Sequence, residues 1–394
     1  MKDNVVASYL LNAIPLIEQY IDVSHDQRIP VNHYLKNHFK KHPKFGKRDR
    51  NHIAELVYSY FRIGHALPKD RIKERILAGS YLSCNDETGI KHFLLQKEFG
   101  TIDTSKSLEE KIKDAPKLFA GLDLSKFLPF DIEFSEGITK EAFMQSFFKP
   151  AAVFIRVIEK YKGLVLEELN QNEIVFEEIE SVKNCIHIKS NFNLNNLKTF
   201  TKGYLEIQDI SSQQCGNYLE PAAHEYWWDM CAASGGKSLL LLSKDNRIKL
   251  LCSDVRRSIL ENLKDRFQRN GFSNYTTQII DATKPLDFKN KFDGIICDAP
   301  CSGSGTWHRN PEELFFATEQ SIKTYSELQS EILKNAVKIC NDKTKFVYIT
   351  CSVFKMENEK QIEKYAEFFK TSTSLNNLDT GGDAMFVANR SHKE

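Results

Sequence analysis

The sequence predicts an α/β chain with a mostly parallel sheet in its second half, a small mixed module before that, and a helical N-terminal region. Three observations predict it. From about residue 209, the apolar runs YWWDM, IKLLCSD, YTTQIID, FDGIICD and KFVYIT alternate with helical stretches at 256–270, 318–340 and 355–369. Such alternation argues a parallel sheet covered by helices on both faces. Between 146 and 208, the runs AVFIRVI, LVLEEL, IVFEEI and CIHIK are short and rich in valine and isoleucine, as strands are. Before that, Ile53, Leu56, Val57, Tyr60 and Phe61 recur at helical spacing and form one apolar stripe.

The expected division is therefore 1–145, 146–208 and 209–394, in keeping with 394 residues at roughly 150 per domain. An apolar fraction of 41% and a charged fraction of 27% suit a globular protein with an ordinary core. Lysines and arginines number 54 and acids 53, so any basic surface must be local. One local stretch stands out: KNHFKKHPKFGKRDR, residues 36–50, has seven basic residues, one acid (Asp49), and Phe39 and Phe45 interleaved. It reads either as a solvated helix face with a turn or as a stretch that neutralises several phosphates. Nine scattered cysteines without zinc-knuckle spacing predict free thiols, no metal and a cytoplasmic setting. The N-terminus, broken by Asn12 and Pro15, lacks a signal-peptide core, and no run approaches the ~18 apolar residues of a membrane span. The expectation is a monomer with no membrane partner.

In a parallel sheet of this kind ligands bind at the carboxyl ends of the strands. After the first strand comes Asp229-Met230-Cys231-Ala232-Ala233-Ser234-Gly235-Gly236-Lys237-Ser238. The Gly-Lys-Ser triplet suggests a P-loop, but that motif needs glycine where Cys231 stands. A nucleoside-type cofactor is the better reading. Asp254 closes the second strand, placed to accept hydrogen bonds from ribose hydroxyls, and Asp281 follows the third, placed for an adenine edge. Each alone reads equally as a helix N-cap.

The fourth strand runs into Asp298-Ala299-Pro300-Cys301 and the fifth into Thr350-Cys351-Ser352. A lone free cysteine is most often a small buried apolar residue. Two at neighbouring strand ends, beside an aspartate and a glycine-rich loop, point to a pyrimidine methyltransferase. Carbon 5 of cytosine is a poor nucleophile. A thiolate adding to carbon 6 makes the ring an enamine, nucleophilic at carbon 5. Asp298 would stabilise the N3 side, and a base must then remove the carbon 5 proton.

These residues resemble the Sun/Fmu (RsmB-like) family of RNA cytosine-5 methyltransferases. Gly203 with Gln208-Asp209-Ile210-Ser211-Ser212 is similar to the family's opening motif, DMCAASGGKS to its cofactor loop (D-x-C-A-A-P-G-G-K-T), DAPCSGSGT to its catalytic loop, and TCSVFKMENE to its T-C-S followed by E-N-E. The resemblance implies a Rossmann-like methyltransferase domain that uses S-adenosylmethionine. It makes Cys351 the nucleophile and Cys301 the residue that helps release product; attack by Cys301 is the mechanistic alternative. It further implies cofactor contacts from Cys231, Ala232, Ala233, Ser234, Gly235, Gly236, Lys237, Asp254, Asp281 and Asp298. Lys237 is expected near the methionine carboxylate or the target base. Glu357, Asn358 and Glu359 read either as the polar first turn of a helix or as orienting the active-site loop. Ser234 stands where the family has proline, which is expected to loosen the turn, and Ile158 stands where relatives often carry asparagine. The short approach to GGDAMFVANR predicts a trimmed final hairpin. RDRNHIAELVYSYFR is similar to the NusB-like RNA-binding domain of the RsmB branch, which implies small-subunit ribosomal RNA as substrate. A transfer RNA substrate, a non-catalytic assembly factor and a P-loop ATPase are the competing readings.

Overall fold

The computed structural model describes residues 2–27, 29–288 and 291–390. It divides into two units, the first comprising residues up to Ile132, Thr139–Pro150 and Thr306–Glu319, the second the remainder. Among the described residues no helix is long and apolar enough to cross a membrane.

The first unit is helical, with helices Asp3–Gln27, Val31–Lys41, Lys47–Arg62, Ile72–Leu82, Ile90–Phe99, Leu108–Leu118 and Lys140–Ser146. The stripe Ile53, Leu56, Val57, Tyr60 and Phe61 is buried, as its spacing requires. Arg75 is also fully buried, and its guanidinium donates to the carbonyls of Tyr60, Gly64 and Leu67. These include the orphan acceptors at the end of helix Lys47–Arg62. Segment 306–319 belongs to this unit: Phe315 stands edge-on to Phe61 at 5.3 Å, and Glu312 accepts from the Val31 amide at 3.0 Å. Of the two phenylalanines in the basic stretch, Phe39 is buried and packs edge-on to Phe45, so it is core rather than a platform for a base.

The second unit holds two sheets. Strands β1 (Val153–Val157), β2 (Phe176–Glu178), β3 (Cys185–Ile188) and β4 (Leu205–Ile207) form an antiparallel sheet in the order β2-β3-β1-β4. LVLEEL, expected as a strand, lies instead in helix Lys162–Gln171. Val165 and Leu169, four residues apart, are buried while Leu164 is exposed, which is a helical and not a strand pattern.

The larger sheet comprises β5 (Tyr226–Asp229), β6 (Lys249–Asp254), β7 (Tyr275–Ile279), β8 (Gly294–Asp298), β9 (Lys345–Thr350), β10 (Thr371–Asn376) and β11 (Ala384–Asn389), in the order β10-β11-β9-β8-β5-β6-β7. Strands β5 to β9 are parallel, and β10 and β11 are antiparallel. The fold is thus α/β with a mixed, mostly parallel sheet. Side chains alternate between two cores: Trp227, Leu250, Ile296 and Val347 on one face, Trp228, Leu251, Ile295 and Tyr348 on the other. Both faces are covered, which explains the nearly continuous apolar runs. The final hairpin is not trimmed; β10 and β11 pair over six residues each. Nor is 355–369 one helix: helical turns occupy only Glu359–Ile362 and Glu363–Tyr365.

Glu206 on β4 fastens the small sheet to helix Arg257–Arg269. It is 2% exposed and accepts from Arg266 at 2.7 Å, Arg269 at 2.6 Å and Asn270 at 2.6 Å. Burial pushes its carboxyl up, and these partners more than offset that, holding it below the ordinary glutamate range. A depressed folded value means that the stabilisation is present above the ordinary glutamate pKa and is lost as pH falls through the folded value. Glu206→Gln should cost about 3 kcal/mol in urea unfolding at pH 7, and the gap from wild type should close in acid.

Candidate active site

From β5 the sheet grows in opposite directions, through β6 and β7 on one side and β8 and β9 on the other. A crevice is expected where the strand order reverses, at the carboxyl ends of β5 and β8. The loop after β5 carries the small residues 231–236. Ala233 (φ 45°) and Gly235 (φ 83°) both adopt left-handed backbone. A Cβ on Gly235 would lie 2.6 Å from the Phe267 ring, so glycine is required there on two counts. Ser234 does not leave this turn loose: Arg266 donates to its carbonyl at 3.4 Å and its hydroxyl at 3.3 Å, supplying restraint that a proline ring would otherwise give.

Asp254 ends β6 nearly buried. Arg256 grips both of its oxygens, at 3.0 and 3.1 Å, and the Ala233 amide donates to it at 3.2 Å, tying the strand end to the loop. Burial pushes this carboxyl up, and Arg256 more than offsets it, so it stays below the usual range. Asp281 lies beyond β7, exposed, and its carboxylate accepts from the Thr283 amide and hydroxyl in a local turn. Asp229, which the sequence reading passed over as a site residue, is fully buried, accepts from Ser238 at 2.6 Å, and is pushed up to about 7 by burial.

Lys237 is buried with its ammonium 3.5 Å from Asp298 and 2.9 Å from the Ser212 hydroxyl. Burial alone would lower its pKa; Asp298 reverses this and holds the ammonium above the ordinary lysine range. Gln208 also donates to Ser212, at 3.1 Å, and accepts from Arg156 at 2.9 Å. The segment 208–212 therefore helps position Lys237, and through it Asp298.

The two sulfurs meet. Cys301, after β8, and Cys351, after β9, place Sγ atoms 3.3 Å apart, and both side chains are half-buried. The Cys351 thiol beside it, and burial, push the Cys301 thiol well up. The group that fixes both loops is Glu357. It is fully buried, and its carboxyl accepts from the Ser302 amide at 2.7 Å, from the hydroxyls of Ser302 and Ser352, and from Gln329 at 3.3 Å. Ser302 and Ser352 each follow one of the cysteines. Asn358, also fully buried, donates to the Ser352 carbonyl at 2.9 Å and to Ser135 at 2.7 Å, and accepts from Thr350. Glu359 accepts from Ser135 at 2.9 Å. Of the two readings open for 357–359, the geometry favours loop orientation. The sequence signal was an acid six positions after a cysteine, which alone does not separate a buried clamp from a solvated helix turn. Among the described residues no cluster of three His, Cys, Asp or Glu side chains is arranged to hold a metal.

The thiol geometry is testable by itself. Diamide, which takes two hydrogens from a dithiol, should link Cys301 to Cys351 rapidly, as read by non-reducing peptide mass mapping. Glu357→Ala leaves the Ser302 amide without its acceptor, so it should slow that linkage and cost about 3 kcal/mol of stability. Glu357→Gln, whose amide oxygen still accepts, should restore most of both.

The family of 16S rRNA methyltransferases RsmB/F matches residues 217–385. The ribosomal RNA small subunit methyltransferase B of Enterobacter sp. (strain 638) is 31% identical over 204 residues, 51% of this chain and 47% of that protein. Its namesake in Yersinia pseudotuberculosis serotype O:1b (strain IP 31758) is 29% identical with the same coverage. The chain thus spans about half the length of the curated relatives it matches. Among solved structures, PH0851 superposes with TM-score 0.65 at 22% identity over 91% of this chain and 94% of that one. NSun6 from Pyrococcus horikoshii with SFG gives 0.57 at 17% over 63% and 93%. These two establish the fold. Residues 217–385 of this chain are thus similar to the RsmB/F family of 16S rRNA methyltransferases.

Proposed function

We propose that the protein methylates carbon 5 of a cytidine in RNA, small-subunit ribosomal RNA being the favoured substrate, through a covalent adduct between Cys351 and carbon 6. The observation that carries this reading is the 3.3 Å approach of the Cys301 and Cys351 sulfurs beside the Lys237–Asp298 pair. The match of residues 217–385 to a family of methyltransferases supports S-adenosylmethionine as donor. When bound, it supplies an electrophilic methyl group. Residues 231–237, Asp254 and Asp281 would hold it. The fit rests on small residues in a left-handed turn that lets backbone approach a ligand, and on carboxylates at or just beyond successive strand ends, suited to ribose hydroxyls and amine donors.

The chain's own residues divide the work. The target cytidine must be unstacked to expose its face. The Cys351 thiolate adds to carbon 6, and Asp298, held by Lys237, stabilises charge on the N3 side. Cys301 keeps its proton while a sulfur bearing negative charge lies beside it. Once Cys351 is bonded to carbon that neighbour is neutral, and Cys301 releases its proton to solvent more readily, becoming a thiolate. It then takes the carbon 5 proton, the S–C6 bond breaks, and Cys351 leaves as thiolate. Residues 1–145 serve as a NusB-like RNA-binding domain, 146–208 as a linking module and 209–394 as the catalytic domain. The exposed Lys36, Lys40, Lys41 and Lys44 support the first of these roles.

Cys351→Ala should abolish methyl transfer, and Cys301→Ala should accumulate a protein–RNA complex that survives denaturing gels. Accumulation in Cys351→Ala instead would reverse the roles. Bisulfite sequencing of ribosomal and transfer RNA from a deletion strain identifies the substrate; a missing mark in transfer RNA alone would overturn the ribosomal assignment.

A further inference from the structure

A second concavity lies in the same unit at the other end of the sheet. It is a cleft of about 1050 Å³ bordered by the turns at 244–247 and 269–272, which enter β6 and β7 from their amino ends. The cysteines sit at the carboxyl ends. The charge of this cleft is unlike that of the whole chain, whose formal net is +1. Lys160, Lys183, Lys202, Lys244, Arg247 and Arg269 line it against only two acids, Glu159 and Asp245. Both acids are already paired, Glu159 with Lys183 at 3.0 Å and Asp245 with Arg247 at 2.6 Å. Lys160 and Lys202 are exposed and in no ion pair among the described residues.

Those two lysines flank an aromatic wall. Tyr161 and Tyr204 stack with centroids 3.7 Å apart and planes 18° apart. The Lys160 ammonium lies 4.7 Å from the Tyr161 centroid, and that of Lys202 lies 5.8 Å from Tyr204. The cleft is also preformed. Gly203, at φ 70°, presses its turn against Arg269 so closely that a Cβ would sit 2.3 Å from the Arg269 carbonyl oxygen. Arg269 is in turn fixed by Glu206. Unpaired cations beside aromatic rings in a fixed groove are the chemistry that holds single-stranded nucleic acid.

We infer that this cleft binds the sugar–phosphate backbone of a single-stranded stretch of the substrate RNA, remote from the target nucleotide. The inference rests on the RNA reading above and adds a second contact site to it. Helix Arg257–Arg269, 13 residues, runs between the two ends of the sheet, a distance of roughly 20 Å. Only an RNA extending well beyond its target cytidine reaches both.

The test compares wild type with the Lys160→Glu/Lys202→Glu double variant, using the full chain. Fluorescence anisotropy with a labelled single-stranded RNA, repeated across KCl concentrations, reads affinity and salt dependence. The double variant should bind more weakly, and its log–log salt slope should be flatter by about 1.4, the value for two lost phosphate contacts on a single strand. On a long RNA substrate its KM should rise with kcat unchanged, while on an oligonucleotide too short to reach the cleft it should match wild type. Unchanged affinity and slope would overturn the inference. The two readings fail separately: methyl transfer with an indifferent double variant removes the cleft alone, and lysine-dependent RNA binding with no transfer to any RNA removes the methyltransferase reading alone.

Discussion

A carboxyl group with no access to water must find its hydrogen bonds inside the protein, and Glu357 finds them on the two loops that carry the cysteines. Sulfurs on separate strand ends have no reason to stay within 3.3 Å of each other unless their loops are fastened to a common point. Glu357 is that point, and Asn358 and Glu359 extend the fastening to Ser135. Leaving such a group unsatisfied costs more than any single bond gains, so the network is held as a unit.

The sheet supplies the rest of the arrangement. Because strand order reverses between β5 and β8, the glycine turn that follows β5 faces the aspartate that ends β8 across one crevice, and the Lys237–Asp298 pair spans it. The next strand, β9, brings Cys351. Three strand ends in adjacent positions thus deliver an ammonium, a carboxylate and two thiols. The chemistry follows from adjacency in the sheet rather than in sequence, since Lys237 and Cys351 are far apart along the chain.

Much of this was legible. The alternation of apolar runs identified β5 to β9, because buried parallel strands leave a plain apolar signature, and the residues at their ends marked the candidate site. The errors occurred where side-chain hydrogen bonds or short runs overrode it. LVLEEL holds two buried residues four apart, and a run so short fits strand or helix equally. Asn358 departs from helical backbone (φ −115°, ψ −101°) because its amide bonds Ser135, Thr350 and Ser352, which breaks the helix expected over 355–369. The last hairpin closes tightly, with Gly381 in left-handed backbone and the Gly382 amide on the Asn377 carbonyl at 2.9 Å, so a short connection suffices. Phe39 gave no sign in sequence of being core rather than surface. The clamp at Glu357 was invisible because its partners, Ser302 and Ser352, are distant along the chain or unremarkable in type.

The central claim is that Cys351 is the sulfur that bonds to the pyrimidine while Cys301 waits beside it. An RNA substrate carrying 5-fluorocytidine at the target tests it most directly, since fluorine at carbon 5 cannot leave as a proton and the adduct is held. Peptide mapping by mass spectrometry should then find the nucleotide on the peptide containing Cys351. A nucleotide found on Cys301, or on neither cysteine, would contradict the account.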